Sequence, residues 1–169
     1  MDEVGSAPHP EVEGGKPHNI RRDFAGLHRF PARLAAMGDS AASFNPVYGQ
    51  GMSSAALQAA ALSDYLSEGP DMTLPATSFF ERQDVIVGAA WATSAGGDAA
   101  RADAISGAEV PEDVRQQRWA ADQLARASLR DETIWRAFLA TGRMLAHPET
   151  LSDPALLDRA IEINAEPED

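Results

Sequence analysis

Between Gly38 and Met52 the chain reads GDSAASFNPVYGQGM, its densest run of residue types able to do chemistry. Arg33 to Met37, just upstream, is a short apolar run that reads as a buried strand. Gly38–Asp39 would then set a carboxylate at the carboxyl edge of a sheet, where open α/β sheets bind ligands. Pro46, Gly49 and Gly51 follow in a loop that permits close backbone approach. An Ala-rich helix begins next, turning free N–H groups and the positive end of its dipole toward that loop. A carboxylate that accepts hydroxyl protons, beside a helix N-terminus that stabilises an anion, suits a ligand carrying a polyol and a ring that becomes negative on reduction. Flavin is such a ligand. Taken singly, Gly38–Asp39 reads as a strand-to-loop turn and Gly49 to Gly51 as the start of a helix, and the residues alone favour these plainer readings.

The other chemically capable residues point less far. His9, His18, His28 and His147 have no ligand spacing with each other or with acids on one helix face, so no zinc or two-metal site is expected. Ser40, Ser43, Ser53 and Ser54 lack a surrounding GxSxG pattern and read as polar loop and helix-start residues. Gly96–Gly97–Asp98 reads as a helix stop rather than a second binding site. Trp91, Trp119 and Trp135 sit near apolar helix positions and are expected in the core.

The elements that must position the motif are mostly helical. Residues 1–17 hold scattered Pro, Gly, His and acids with little to bury, and read as a disordered tail. Met52 to Leu66 is an Ala-rich helix with Leu57, Ala61 and Tyr65 on one stripe and Leu62 and Leu66 beside it. After a turn at Glu68 to Pro70, Ser78 and Glu81 suggest a capping box for a second helix that carries Phe79, Phe80, Ile86, Val87, Ala90 and Trp91 and stops at Gly96–Gly97. A third helix has Pro111, Glu112 and Asp113 in its first turn and reaches about Leu129. A fourth starts after Asp131, shows Ile134, Phe138 and Leu145 on one face, and ends near His147–Pro148. The fifth has Asp153 as cap and Pro154 at its first position. Glu162 to Asp169 reads as a solvated acidic end. No internal repeat is found at a fixed period.

Composition bounds the rest. The formal net charge of −12 opposes a phosphate backbone, and the basic residues are spread along the chain, so no nucleic-acid partner is expected. No apolar run approaches the length of a membrane span, and the first residues are acidic, so neither a membrane span nor a signal peptide is expected and the default compartment is cytoplasmic. The absence of cysteine excludes disulfides, thiolate metal sites and cysteine nucleophiles. Of the hydrophobic residues 32 are Ala, leaving few large side chains, so the core is expected to be thin.

The order Gly38–Asp39, Pro46, Gly49–Gln50–Gly51–Met52 at the head of an Ala-rich helix resembles the second FAD-binding motif of the flavin-dependent monooxygenases and oxidoreductases, the superfamily of aromatic hydroxylases, squalene epoxidase and geranylgeranyl reductases. FNPVYGQGM resembles especially an actinobacterial set in which the motif is followed by paired Phe residues, a Trp and Gly–Gly–Asp. Phe79–Phe80, Trp91 and Gly96–Gly97–Asp98 stand here in that order, so the resemblance covers roughly residues 19–165. It implies that Asp39 binds the ribityl hydroxyls of FAD, with Gly38 allowing the turn. It implies that Pro46 lies near the isoalloxazine ring and that the backbone amides of Gly49, Gln50, Gly51 and Met52 face its pyrimidine edge. It implies a flavin reduced by NAD(P)H, a small apolar or aromatic substrate, and catalytic groups that this segment does not supply.

The family's N-terminal βαβ unit with its GxGxxG loop has no counterpart here. The expected fold is therefore α+β and mostly helical, the C-terminal piece of an FAD-binding Rossmann-type α/β fold lacking the dinucleotide-binding unit. Residues 18–165 would form the flavin-contacting segment and helical tail, and residues 166–169 an acidic end. An N-terminal dinucleotide-binding half or a homo-oligomer would complete the site. Two other readings remain open at this point: a non-enzymatic, truncated or partner-dependent form that does not bind FAD alone, and a small helical binding module unrelated to flavin.

Overall fold

A computed structural model of the chain describes residues 19–27 and 29–166. The expected tail over residues 1–17, His9, His18 and His28, and the last three acidic-end positions lie outside the described residues. Within them the fold is α+β and mostly helical: strands β1 (Ile20–Arg21) and β2 (Ala42–Ser43), then α1 (Gly51–Ser67), α2 (Thr77–Ser106), α3 (Glu112–Ala127), α4 (Glu132–Gly142) and α5 (Pro154–Ala165). Short 3-10 turns occupy Gly38–Ser40, Pro46–Tyr48 and Pro148–Ser152. The strands pair antiparallel, Ile20 opposite Ser43 and Arg21 opposite Ala42. No described helix is long and apolar enough to cross a membrane.

Arg33 to Met37 is not a strand. Arg33 takes a left-handed φ of 61°, which a strand residue does not adopt. The apolarity of the run serves another purpose: Ala35, Ala36 and Met37 pack, with Phe24 and Phe30, against the buried cluster of Tyr65, Ala76, Phe79 and Phe80. Four of these rings meet in a chain, Phe24 on Phe30 at 5.7 Å and Phe30 on Phe80 at 4.8 Å, both edge to face, then Phe80 on Phe79 at 5.4 Å. The Ala36 carbonyl is taken by the Gln83 side chain at 2.7 Å, so the run needs no neighbouring strand to satisfy it.

α1 and α2 form an antiparallel hairpin, with Tyr65 beside Phe79 and Gln58 beside Gln83. Of the expected apolar stripe of α1, Tyr65 is buried and Ala61 and Leu62 pack beside it, whereas Leu57 and Leu66 are 38% and 49% exposed; toward its N-terminus the buried face is instead Ser54 and Gln58. α2 begins at Thr77 after Ala76 with no side-chain cap, so the Ser78–Glu81 box does not form. It also passes through Gly96–Gly97 without a break and ends at Gly107, whose φ of 66° is the left-handed geometry that a helix stop requires.

α3, α4 and α5 gather around Leu124, Ala127, Ile134 and Ala160. Their caps follow local chemistry: Asp131 accepts from the Ile134 N–H at 3.0 Å and Asp153 from the Ala155 N–H at 2.9 Å. α4 closes at Gly142, before the expected His147–Pro148, because Met144 turns left-handed with φ 58°. Trp91 is partly buried against Ala42, Phe44, Val87 and Ala90, whereas Trp119 and Trp135 lie on outer helix faces and are about half exposed. Residues Glu162 to Ala165 continue α5, and the Asn164 amide donates to the Gln123 carbonyl at 2.9 Å, so the acidic end starts later than its composition suggests.

Candidate functional site

Asp39 precedes β2 instead of following a strand, so no sheet edge presents it. A 3-10 turn does, and the surroundings of that turn explain why it holds. Gly38 has φ +60°, which its lack of a side chain permits, and its N–H donates to Gln58 Oε1 at 2.8 Å. The same oxygen accepts from Gln83 Nε2 at 3.0 Å, and Gln58 Nε2 donates to Ser54 Oγ at 3.0 Å. Ser54 and Gln58 are fully buried, so this amide network runs through the α1–α2 hairpin. On the outer side Arg22 Nη1 donates to the carbonyls of Asp39 and Ser40, each at 3.2 Å. The backbone is therefore gripped from both sides while the Asp39 side chain remains exposed and makes no hydrogen bond to any described residue.

The second grip is on the Pro46 turn. Asn45 receives the Val47 N–H on its Oδ1 and sends its Nδ2 to both oxygens of Asp98, at 3.0 and 3.1 Å. Tyr48 donates its hydroxyl to Asp98 at 3.1 Å, and Asn19 Nδ2 donates to the same carboxylate at 2.8 Å. Asn19 Oδ1 in turn accepts from the Asn45 N–H at 2.9 Å and the Ser94 hydroxyl at 2.6 Å. Gly97 makes this geometry possible, since a Cβ there would stand 2.7 Å from the Tyr48 ring carbons. Gly–Gly–Asp is thus neither a helix stop nor a separate site. It is the mount on α2 to which the Phe44–Asn45–Pro46–Val47–Tyr48 loop is bolted.

These hydrogen bonds set the charge states at the mount. The bond from Asn45 above all, with those from Tyr48 and Asn19 and the charge of Arg101, holds the Asp98 carboxyl below its ordinary range against partial desolvation. The Tyr48 hydroxyl is pushed up, by burial first and then by Asp98, and stays a donor at neutral pH. Since the Asp98 pKa is lowered in the folded state, its contribution is complete above the unfolded carboxyl value of about 3.9 and is lost as the pH falls through the folded value. Thermal melts between pH 6 and pH 2.5 are expected to show a smaller acid loss in Asp98→Asn than in the natural sequence. Parallel curves would remove Asp98 from the account.

Together the two grips shape a cleft of about 380 Å³ lined by Asp39, Ser43, Phe44, Pro46, Gly49, Gly51, Met52 and Ala55. Five of the seven residues singled out in the sequence meet there: Asp39, Pro46, Gly49, Gly51 and Met52. Gly38 lies behind the wall, against Ala55. Gln50 does not share the cleft: its side chain is buried on the far side of the α1 start and donates to the Gly142 carbonyl at 3.4 Å. Gly49 needs its freedom, with φ +68°, but Gly51 has an ordinary φ and open space where a Cβ would stand. No side chain caps α1, and the first helical bond runs from the Ser54 N–H to the Gln50 carbonyl, so the N–H groups of Gly51, Met52 and Ser53 precede the ladder at the cleft.

Asn19, Gln58, Gln83 and Asp98 were not foreseen as parts of the site. The order of Asn45, Tyr48 and Gly–Gly–Asp in the sequence was the one available signal for Asp98. Among the described residues no group of acids and histidines is arranged to hold a metal ion. His147 caps the 3-10 turn at Pro148–Ser152 by accepting from the Glu149 N–H. Compared with known proteins, the chain matches no family model and no curated protein.

Proposed function

We propose that the cleft is a flavin site and that the chain is the FAD-contacting part of a flavin-dependent oxidoreductase, a monooxygenase or reductase for a small apolar or aromatic substrate. The observation that carries this reading is the convergence of Asp39, Pro46, Gly49, Gly51 and Met52 on one cleft. The residues fit the group. Asp39 has both carboxylate oxygens free to accept ribityl hydroxyls, and the open space beside Gly51 is a cradle that a Cβ would fill. The uncapped N–H groups at the head of α1 face negative charge favourably. Bound FAD supplies the two-electron chemistry, with NAD(P)H as the reductant. The chain's own residues bind and orient: Asp39 accepts, α1 stabilises an anionic ring edge, and Asp98 holds Pro46 in place through Asn45 and Tyr48.

In this reading the described elements are the C-terminal piece of an FAD-binding Rossmann-type fold. The pyrophosphate contacts come from an N-terminal dinucleotide-binding half or from a second copy of the chain. A second reading, a partner-dependent subunit that does not retain FAD alone, draws on the size of the cleft, which stands near the lower end of the range of about 300–1,000 Å³ for ligand pockets. Co-expression with a chain carrying GxGxxG tests both. A yellow complex that loses its flavin on Asp39→Ala, with helicity unchanged, is the expected result. Flavin retained equally by Asp39→Ala would remove Asp39 from the site, and a colourless complex would count against the flavin reading.

A further inference from the structure

On the other side of the α1 start lies a second cavity of about 180 Å³. Leu57 of α1, Val85, Ile86 and Ala89 of α2, and Met144 and Leu145 after α4 make its wall mostly apolar, and Gln50 supplies a polar group. Gln50 is 3% exposed, and its Oε1 is the one buried side-chain oxygen or nitrogen among the described residues with no hydrogen-bond partner. The assignment of that atom as oxygen is fixed chemically, because the other amide atom faces the Gly142 carbonyl, which can only accept. A buried carbonyl without a donor is costly, and such groups are rare in folded proteins. The single bond that positions the amide is long, 3.4 Å, so little hydrogen-bond energy opposes the small turn that would bring Oε1, now shielded, toward a donor in the pocket.

We propose that this cavity binds a small monocyclic apolar molecule carrying one hydrogen-bond donor, an alicyclic or aromatic alcohol or amine, with the donor on Gln50 Oε1. The pocket opens to solvent beside the exposed Val85 and Leu145, and its volume is of the order that one ring fills, since an enclosed apolar cavity of about 150 Å³ takes up benzene. The polarity fits one donor: Gln50 Oε1 accepts and cannot donate, while His147, which also lines the pocket, already accepts the Glu149 N–H on its Nδ1. Thr141, the nearby hydroxyl, already donates to the Ala137 carbonyl at 2.9 Å. The site does not depend on flavin, because none of its lining residues lines the cleft at Asp39.

The test uses the full chain without flavin and three probes of nearly equal size: cyclohexanol, which donates, cyclohexanone, which only accepts, and methylcyclohexane, which does neither. Binding is followed by methyl NMR at Leu57, Val85, Ile86 and Met144. Cyclohexanol is expected to shift these signals saturably and to bind about tenfold more tightly than cyclohexanone. Gln50→Met, apolar and of similar length, is expected to erase that preference while methylcyclohexane binds at least as well as before. Ala89→Leu, which fills the cavity, is expected to abolish all three. Equal binding of cyclohexanol and cyclohexanone to the natural sequence overturns the donor assignment. No saturable shift at these methyls overturns the site, and if Ala89→Leu does not fold, the probe preference in Gln50→Met still decides.

Discussion

Gln58→Leu is expected to lower stability more than any other single change near the cleft. Gln58 is fully buried and supports Gly38, Ser54 and Gln83 at once. Leucine has a similar volume, so the loss is one of hydrogen bonds and not of space. The Gln83 amide keeps the Ala36 carbonyl as a partner. The fully buried Ser54 hydroxyl and the part-buried Gly38 N–H keep none; an orphaned buried group costs about 1–3 kcal/mol, and the part-buried one less. Against a total of about 5–15 kcal/mol for a domain, that is a large fraction. Urea unfolding measures it, and a midpoint within error of the natural sequence would show that the network bears no load. Asp39 stands one residue beyond Gly38, so the same variant is expected to weaken flavin binding even where it remains folded.

Neighbouring glycines give the second large effect, with opposite signs. Gly96→Ala is expected to raise the melting temperature by about 2–4 °C, because the position is helical, exposed and open around its missing Cβ, and alanine gains about 1 kcal/mol in a helix. Gly97→Ala receives the same gain but drives its methyl into the Tyr48 ring. That ring is pinned through its hydroxyl to Asp98, so relief by displacement also breaks a hydrogen bond. Overpacking costs about 1–3 kcal/mol, and with the lost bond the net change is a destabilisation of about 1–2 kcal/mol. In a Tyr48→Ala background the sign at Gly97 is expected to reverse, which isolates the contact. If both alanines stabilise the natural sequence, Gly97 is not the mount described above.

Which features were legible in the sequence follows from the range of the interactions. α3, α4 and α5 could be read because their start signals act within a few residues: Pro111 with Glu112 and Asp113, Asp131 on Ile134, and Asp153 with Pro154. The strand expected at Arg33 to Met37 failed because apolar content alone does not distinguish a strand from an irregular segment lying on an aromatic cluster. On α1 the apolar pattern finds the C-terminal half of the buried face, Ala61, Leu62 and Tyr65, but not its N-terminal half. There hydrophobicity selects Leu57, whereas the buried positions are Ser54 and Gln58, polar because Gln58 satisfies the backbone of Gly38. Gly96–Gly97 looked like a stop since no local rule reveals that Tyr48, about fifty residues earlier, will press on the second glycine. The motif residues were legible as a set, but their support by Asn19 and Asp98, 79 residues apart, is a property of the folded chain.

The most direct test of the proposal that the cleft binds flavin is a titration of FAD into the full chain and into Gly51→Ala, alone and with lysate supplying partner chains, beside the thermal stability of each. Nothing in the protein crowds the missing Cβ of Gly51, so the alanine variant is expected to be as stable as the natural sequence or slightly more so. The natural sequence is expected to quench flavin fluorescence saturably in at least one condition, and Gly51→Ala to bind at least about tenfold more weakly, a difference of about 1.4 kcal/mol. Equal affinity in the two chains, or no saturable binding by the natural sequence in either condition, would contradict the assignment of the cleft to flavin.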